Sequence, residues 1–288
     1  MPFLLLLVVA LAVGSLVALL AARYSRSRRV SRRDRAARQL GRKMAEHSSL
    51  RRLLRGRLEP ATATGLALSI ALIVIFVGGL GLGTLAYLVR SSSTLADIDR
   101  SVGQWGVDHQ ADWSTQGLDL VTWLGATSVV VGLAVAIGVV EYIRRPSHWI
   151  APFFIVVIAG QIYLTQGLKE AFDRVRPDFN PAAETLGPSF PSGHSALAAA
   201  FFAAAALVAS RGRPPASRAL IVGAAAAIAV GVACSRVMLG VHWLSDVVAG
   251  VLLGWAWFAA CSVAFGGRML RFGAPAKEAA RVAEETNP

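Results

Sequence analysis

His242 and Asp246 stand four residues apart at the start of an apolar stretch. On a helix that spacing puts both side chains on one face. A carboxylate so placed accepts the Nδ1 proton of the imidazole, fixes its tautomer and aims the Nε2 lone pair outward. It also stabilises the cation formed when that nitrogen attacks phosphorus. A plainer reading has Asp246 cap the helix and His242 pack at an interface. From the pair alone the two readings weigh the same.

Cations and hydroxyls elsewhere tip the balance. Arg236, beside Ser235, lies six residues before His242, and a guanidinium offers two phosphate oxygens a planar fork. Pro191-Ser192-Gly193-His194 precedes another apolar block. Pro and Ser open helices, and the free N–H groups of a helix start bind anions. Ser192 and Gly193 would then hold phosphate oxygens, with His194 at the rim to protonate a departing alkoxide. Lys169 and Arg176 are seven apart, a separation that one helix face accommodates. Pro177 disfavours helical geometry at Arg176, so the chain should turn there. Two cations facing one site would neutralise a phosphate dianion and its transition state. Asp173, Arg174 and Asp178 read as local pairing or solvated charge, with no catalytic part. Each string also has a bland reading as a helix flank, and phosphoryl transfer explains them jointly.

The elements that carry these residues are apolar. Of 288 residues, 55% are hydrophobic and the mean hydropathy is +0.55, which points to a membrane protein. Seven apolar blocks cover roughly 3–22, 62–89, 118–140, 149–165, 194–210, 219–234 and 247–265. The expected fold is therefore an all-α polytopic bundle of about seven transmembrane helices. The fifth and sixth blocks sit at the short end of what spans a bilayer. The first lacks the cationic start of a secretory signal, so it reads as an uncleaved helix.

The net charge of +12 has a membrane explanation as well. Fourteen Lys or Arg fall between Arg23 and Arg57, opposed by Asp34 and Glu46 alone. Cytoplasmic loops are basic, so this segment is expected inside. Counting crossings puts 168–193 and 235–246 outside, hence all three motifs on one outer face. Arg-rich segment 23–57, with an amphipathic stretch over 50–58, could contact anionic headgroups; a topology signal alone is the simpler reading. Nucleic acid is not an expected partner.

Remaining features carry less. The acidic and Trp-bearing stretch 91–117 suits a helix lying at the interface. Gly79-x-x-x-Gly83 permits close helix packing and receives no further role. Cys234 and Cys261 read as small buried residues, with no disulfide and no zinc site. The tail 268–288 reads as a disordered cytoplasmic end.

In order, Lys169-x6-Arg176-Pro177, Pro191-Ser192-Gly193-His194 and Ser235-Arg236-x5-His242-x3-Asp246 resemble the three-part signature of the phosphatidic acid phosphatase type 2 superfamily. Every signature position is filled. The resemblance implies a six-helix phosphatase core over 61–267, with residues 1–60 as an addition. It implies that His242 is the nucleophile, Asp246 its orienting carboxylate and His194 the general acid and then base. Lys169, Arg176, Ser192, Gly193 and Arg236 would bind phosphate. No metal or other cofactor is implied. The expected activity is hydrolysis of a lipid phosphate monoester or polyprenyl diphosphate, in a bacterial plasma membrane, on its extracytoplasmic face. The rival readings are a lipid phosphotransferase, a phosphate-lipid transporter that cleaves nothing and a structural protein that docks through its Arg-rich arm.

Overall fold

A computed structural model describes residues 2–38, 63–179 and 187–269 of the chain, and side chains within 2–23, 68–179 and 187–265. Nine helices make up its regular structure among the described residues. They are α1 (Pro2–Arg38), α2 (Ala63–Ser91), α3 (Ser93–Asp108), α4 (Asp112–Trp123), α5 (Thr127–Arg144), α6 (Ile150–Phe172), α7 (Gly193–Ala209), α8 (Pro215–Met238) and α9 (Leu244–Met269). Segments of α1, α2, α5, α6, α8 and α9 are long and apolar enough to cross a membrane; α7, at 17 residues, is shorter.

α7 is the axis of the bundle. Its Ala-rich sequence is apolar on every side, as a helix surrounded by others must be. Ala198, Ala199, Ala200, Phe201 and Ala204 are wholly buried. The largest core cluster joins α7 to Val130 of α5, to Phe153 and Val157 of α6, to Val232 of α8 and to Cys261 of α9. Small residues let helices approach: α9 passes α7 at Gly250 and Gly254, where an added Cβ would stand 2.6 Å from Ser192 O and 2.3 Å from Ala196 O. The expected Gly79/Gly83 pair faces nothing within 4 Å. Outward, Phe76, Ile143, Tyr163 and Leu220 remain at least 70% exposed, the apolar face that a bundle in lipid presents.

Several boundaries differ from expectation. The third apolar block is two helices, α4 and α5, joined by a tight turn at 124–126. The sixth is longer than its apolar run, because α8 extends from Pro215 to Met238 and carries Arg236 in its last turn. The stretch 91–117 forms α3 and the start of α4, and α3 is not only interfacial, since Asp99 is 1% exposed. Cys261 is buried and Cys234 half-buried, both unpaired, as expected.

α1 packs along α8, and its first turns reach the motif end of the bundle. Leu6 joins Leu118, Leu239 and Val241 in a buried cluster, and Phe3 meets Trp113 edge-on at 6.1 Å. The helix backbone then runs through the start of the basic segment to Arg38. The side chains of 24–38, the expected amphipathic stretch 50–58 and the tail 270–288 lie outside the described residues.

Candidate active site

Four pieces of chain meet at one end of α7. The last turn of α6 supplies Lys169, and the segment after it supplies Arg174 and Arg176. The start of α7 supplies Ser192, Gly193 and His194. The end of α8 supplies Arg236, and the turn into α9 supplies His242 and Asp246. Lys169 lies within electrostatic reach of Arg176, Arg236 and Asp246, and His194 within reach of Lys169, Arg176, Arg236 and His242. The eight residues singled out in the sequence therefore share one neighbourhood.

Local sequence explains the convergence. α8 ends in a left-handed glycine, Gly240, at φ 68°. The chain folds back, so that Val241 N–H and His242 N–H both donate to Arg236 O, at 3.3 and 3.2 Å. His242 thus precedes α9, and the helical i,i+4 register expected for His242 and Asp246 does not apply. Asp246 sits in the first turn of α9, where Oδ2 accepts Trp243 N–H at 3.0 Å and caps the helix. The same oxygen lies 3.5 Å from His242 Nδ1, long for a hydrogen bond. The capping reading holds for this carboxylate, and His242 Nδ1 stands beside it without a hydrogen bond. Ser192 N–H donates to Asp246 O at 3.0 Å and ties the start of α7 to α9.

The turn expected before Pro177 is present, so Lys169 and Arg176 do not share a helix face. α6 stops at Phe172 because Asp173 adopts a left-handed conformation at φ 42°. Residues 174–176 then run beside 187–189: Ser189 N–H donates to Arg174 O at 2.8 Å, and the Ser189 hydroxyl to Val175 O at 3.1 Å.

Arg176 settles the tautomer of His242. Its Nη1 lies 3.1 Å from His242 Nε2, and a guanidinium has donors only. Nε2 therefore presents its lone pair, and in the neutral ring the proton sits on Nδ1, facing Asp246. Arg176 also donates to Gly187 O and Val241 O, each at 2.7 Å, so it braces both loops of the pocket. Burial pushes the His242 pKa down to about 4; Asp246 opposes this, and Arg176 and Arg236 add to it. The ring is thus held in its unprotonated form at neutral pH.

Arg236 is aimed by α4. Its Nη1 donates to Thr122 Oγ1 at 3.1 Å, while its buried Nε has no partner. A buried guanidinium N–H without an acceptor suits an oxyanion that arrives with the ligand. Ser192 is wholly buried, and its Oγ accepts the Ser195 hydroxyl at 2.9 Å.

Sequence reasoning missed two residues. Arg174, read there as local or solvated charge, donates from Nη1 to Asp246 Oδ1 at 2.5 Å and to Ser245 Oγ at 2.8 Å. Its Nη2 donates to Asp99 Oδ2 at 2.9 Å. Asp99, 1% exposed, also accepts Ser245 N–H at 2.9 Å and the Ser245 hydroxyl at 2.5 Å. A chain Asp99–Arg174–Asp246–His242 therefore runs from α3 into the pocket. The one available signal was a second arginine two residues before Arg176.

A model of the PAP2 superfamily matches residues 151–269. The chain is 33% identical over 165 residues to phosphatidylglycerophosphatase B of Bacillus subtilis (strain 168), an alignment covering 57% of this chain and 81% of that protein. It is 41% identical over 116 residues to lipid A 1-phosphatase of Rhizobium johnstonii, covering 37% of this chain and 43% of that one. Among solved structures it resembles the transmembrane PAP2-type phosphatidylglycerolphosphate phosphatase of Bacillus subtilis, with a TM-score of 0.63 and 30% identity, across 69% of this chain and 98% of that one.

Proposed function

The chain belongs to the PAP2 superfamily and is an integral membrane protein, and from that premise we propose that it hydrolyses a lipid phosphate through a phosphohistidine on His242. The observation that carries this reading is buried His242 Nε2 at 3.1 Å from the donor Arg176 Nη1, in the same neighbourhood as the unpartnered Nε of Arg236.

In the first half-reaction the substrate phosphate enters between Lys169, Arg176, Arg236 and the start of α7, and displaces Arg176 from Nε2. Nε2 attacks phosphorus, the bond from phosphorus to the lipid oxygen breaks, and His194 protonates that oxygen. The imidazole gains positive charge, which Asp246 stabilises across a contact that tightens from 3.5 Å. In the second, His194 takes a proton from water, the water oxygen attacks phosphorus, and the P–N bond breaks to free His242 and inorganic phosphate. Side-chain cations and helix N–H groups offset the oxyanion charge, so metal-independent turnover is expected.

A lipid phosphate monoester is the leading substrate class, since the relative matched over four-fifths of its length is a phosphatidylglycerophosphatase; polyprenyl diphosphate is the alternative. We assign the phosphatase domain to 61–267 and place the pocket on the extracytoplasmic face of a bacterial plasma membrane. In support, α1 leads from beside Val241 to the opposite end of the bundle before the basic segment 23–57 begins.

The test is phosphate release in mixed micelles with chelator present, from phosphatidylglycerophosphate, phosphatidic acid, a lipid A 1-phosphate and a polyprenyl diphosphate. Turnover of a monoester that His242→Asn abolishes supports the reading. Loss of all turnover with chelator removes the metal-free mechanism. Phosphate appearing on an added lipid alcohol instead of in solution would make the protein a phosphotransferase.

A further inference from the structure

Buried side-chain nitrogens and hydroxyls without a partner gather in two places among the described residues. Arg236 Nε and His242 Nδ1 belong to the pocket. Ser210 Oγ, Arg211 Nη1 and Arg213 Nη1 belong to the turn between α7 and α8, at the other end of α7. Gln161 Oε1 and Ser262 Oγ stand apart from both.

This second cluster is built around one carboxylate. Glu141 of α5 is 1% exposed. Arg144 Nη1 reaches both its oxygens at 2.9 Å, and Arg213 Nη2 approaches Oε1 at 2.7 Å. Arg211 Nη2 donates to Arg145 O at 2.9 Å. Gly212 holds a left-handed φ of 66°, and a Cβ there would stand 2.0 Å from Arg145 Cζ, so the Arg145 guanidinium lies across the turn. Arg144 and Arg213 thus pair with one carboxylate, and Arg211 lies within electrostatic reach of it and of the exposed Arg145, so positive charge is in excess. Burial and Arg145 lower the Arg211 pKa while Glu141 opposes them, the balance of a site short of negative charge.

Basic residues at a bilayer face need no ligand while water solvates them. Here Arg211 Nη1 and Arg213 Nη1 are shielded from water and have no acceptor, the condition that Arg236 Nε shows in the pocket. Guanidinium N–H groups left without an acceptor on one short turn suit the oxygens of a phosphate. The flanks are apolar: Ile143 and Leu220 are 75% and 70% exposed. That combination fits a headgroup with acyl chains attached better than a free ion.

We propose that the α7–α8 turn, with Arg145, Arg211 and Arg213, binds the phosphate of an anionic phospholipid from the leaflet opposite the catalytic pocket. This lipid is no substrate, since a helix length separates it from His242. It fastens the far end of the helix whose first residues are Ser192, Gly193 and His194.

The experiment uses the full chain in nanodiscs of phosphatidylcholine, with or without phosphatidylglycerol, and in phosphatidylcholine with inorganic phosphate. Native mass spectrometry counts retained lipid, and a thermal melt reads stability. Wild type should retain phosphatidylglycerol and melt at higher temperature with it. The double variant Arg145→Gln/Arg211→Gln leaves Arg144 and Arg213 on Glu141 and should lower retention by about tenfold. If that variant fails to fold, Arg211→Gln alone, which removes a bond to a carbonyl only, serves in its place. Equal retention by variant and wild type would assign the effect to general basic attraction and overturn the proposal. An equal gain in melting temperature from inorganic phosphate that the double variant loses would also overturn it, making the turn a site for the free ion.

Discussion

The Arg174 guanidinium stands 2.5 Å from the Asp246 carboxylate, and its other nitrogen reaches Asp99 of α3 at 2.9 Å. Asp246 is wholly buried and also caps α9. Of the charged groups around it, Arg174 makes the shortest ion pair, so the position of the His242 partner depends on a residue outside the three motifs. We expect Arg174→Gln to lower kcat by about tenfold to a hundredfold, the range for partners that orient a functional ligand, with a smaller change in KM. Arg174→Lys should recover part of the loss, because it restores charge without the fork. Steady-state kinetics on purified variants checks this, and an unchanged kcat in Arg174→Gln would remove Arg174 from the account.

Asp99 acts through Arg174 and Ser245. Asp99→Asn weakens acceptors for three donors in a site 1% exposed. Breaking such a buried pair costs about 3 kcal/mol, so the thermal midpoint should fall. Its effect on kcat should overlap with that of Arg174→Gln, because the two residues form one connected unit. A double-mutant cycle measures this. Fully additive losses would mean that Asp99 supports the fold alone.

The acid limb of the reaction should lie far below that of an ordinary histidine. His242 has a pKa lowered to about 4, chiefly by burial, and only the neutral ring attacks. Activity is therefore present above that value and lost as pH falls through it. After correction for substrate ionisation, kcat/KM should show no loss from this ring between neutral pH and about 5. The same depression makes the unfolded ring, with its ordinary value near 6.5, take up a proton first. Stability should then decline as pH falls from about 6.5 toward 4. An imidazole NMR titration near 6.5, assigned to His242 by its absence from His242→Asn, would contradict the buried neutral ring.

Thr122 tests the aim of Arg236. Thr122→Val removes the acceptor of Arg236 Nη1 and keeps the side-chain shape. One hydrogen bond to a charged group is worth about 1.5–3 kcal/mol, so kcat/KM should drop by at least about tenfold while the fold survives. Wild-type kinetics in this variant would show that Arg236 needs no help from α4.

Much of the site was legible in the sequence because its residue types are costly in an apolar setting. Lys169, Arg176, Arg236, His242 and Asp246 flank membrane helices, where charge is expensive unless paired or used. The helices themselves followed from apolar length. Connections were harder to read. The break between α4 and α5 lies within one apolar run, because Leu124, Gly125 and Ala126 carry no polar side chain. The departure of His242 from the helix rests on Gly240, a single left-handed residue. Asp99 and Arg174 look like solvated charge in one dimension; only the fold shows that 75 residues of separation close to 2.9 Å. Spacing alone does not mark the packing glycines either: Gly79 and Gly83 have the favoured spacing but meet nothing within 4 Å, and Gly250 and Gly254 meet α7.

The central claim is a covalent bond between phosphorus and His242 Nε2. Rapid quenching of full-length protein during turnover of a lipid monoester labelled at phosphorus tests it most directly. The account predicts label on the protein that survives alkali, is released by acid, maps to the peptide containing His242 and is absent from His242→Asn. Label retained by His242→Asn, or multiple turnovers of wild type with no labelled protein at any quench time, would contradict it.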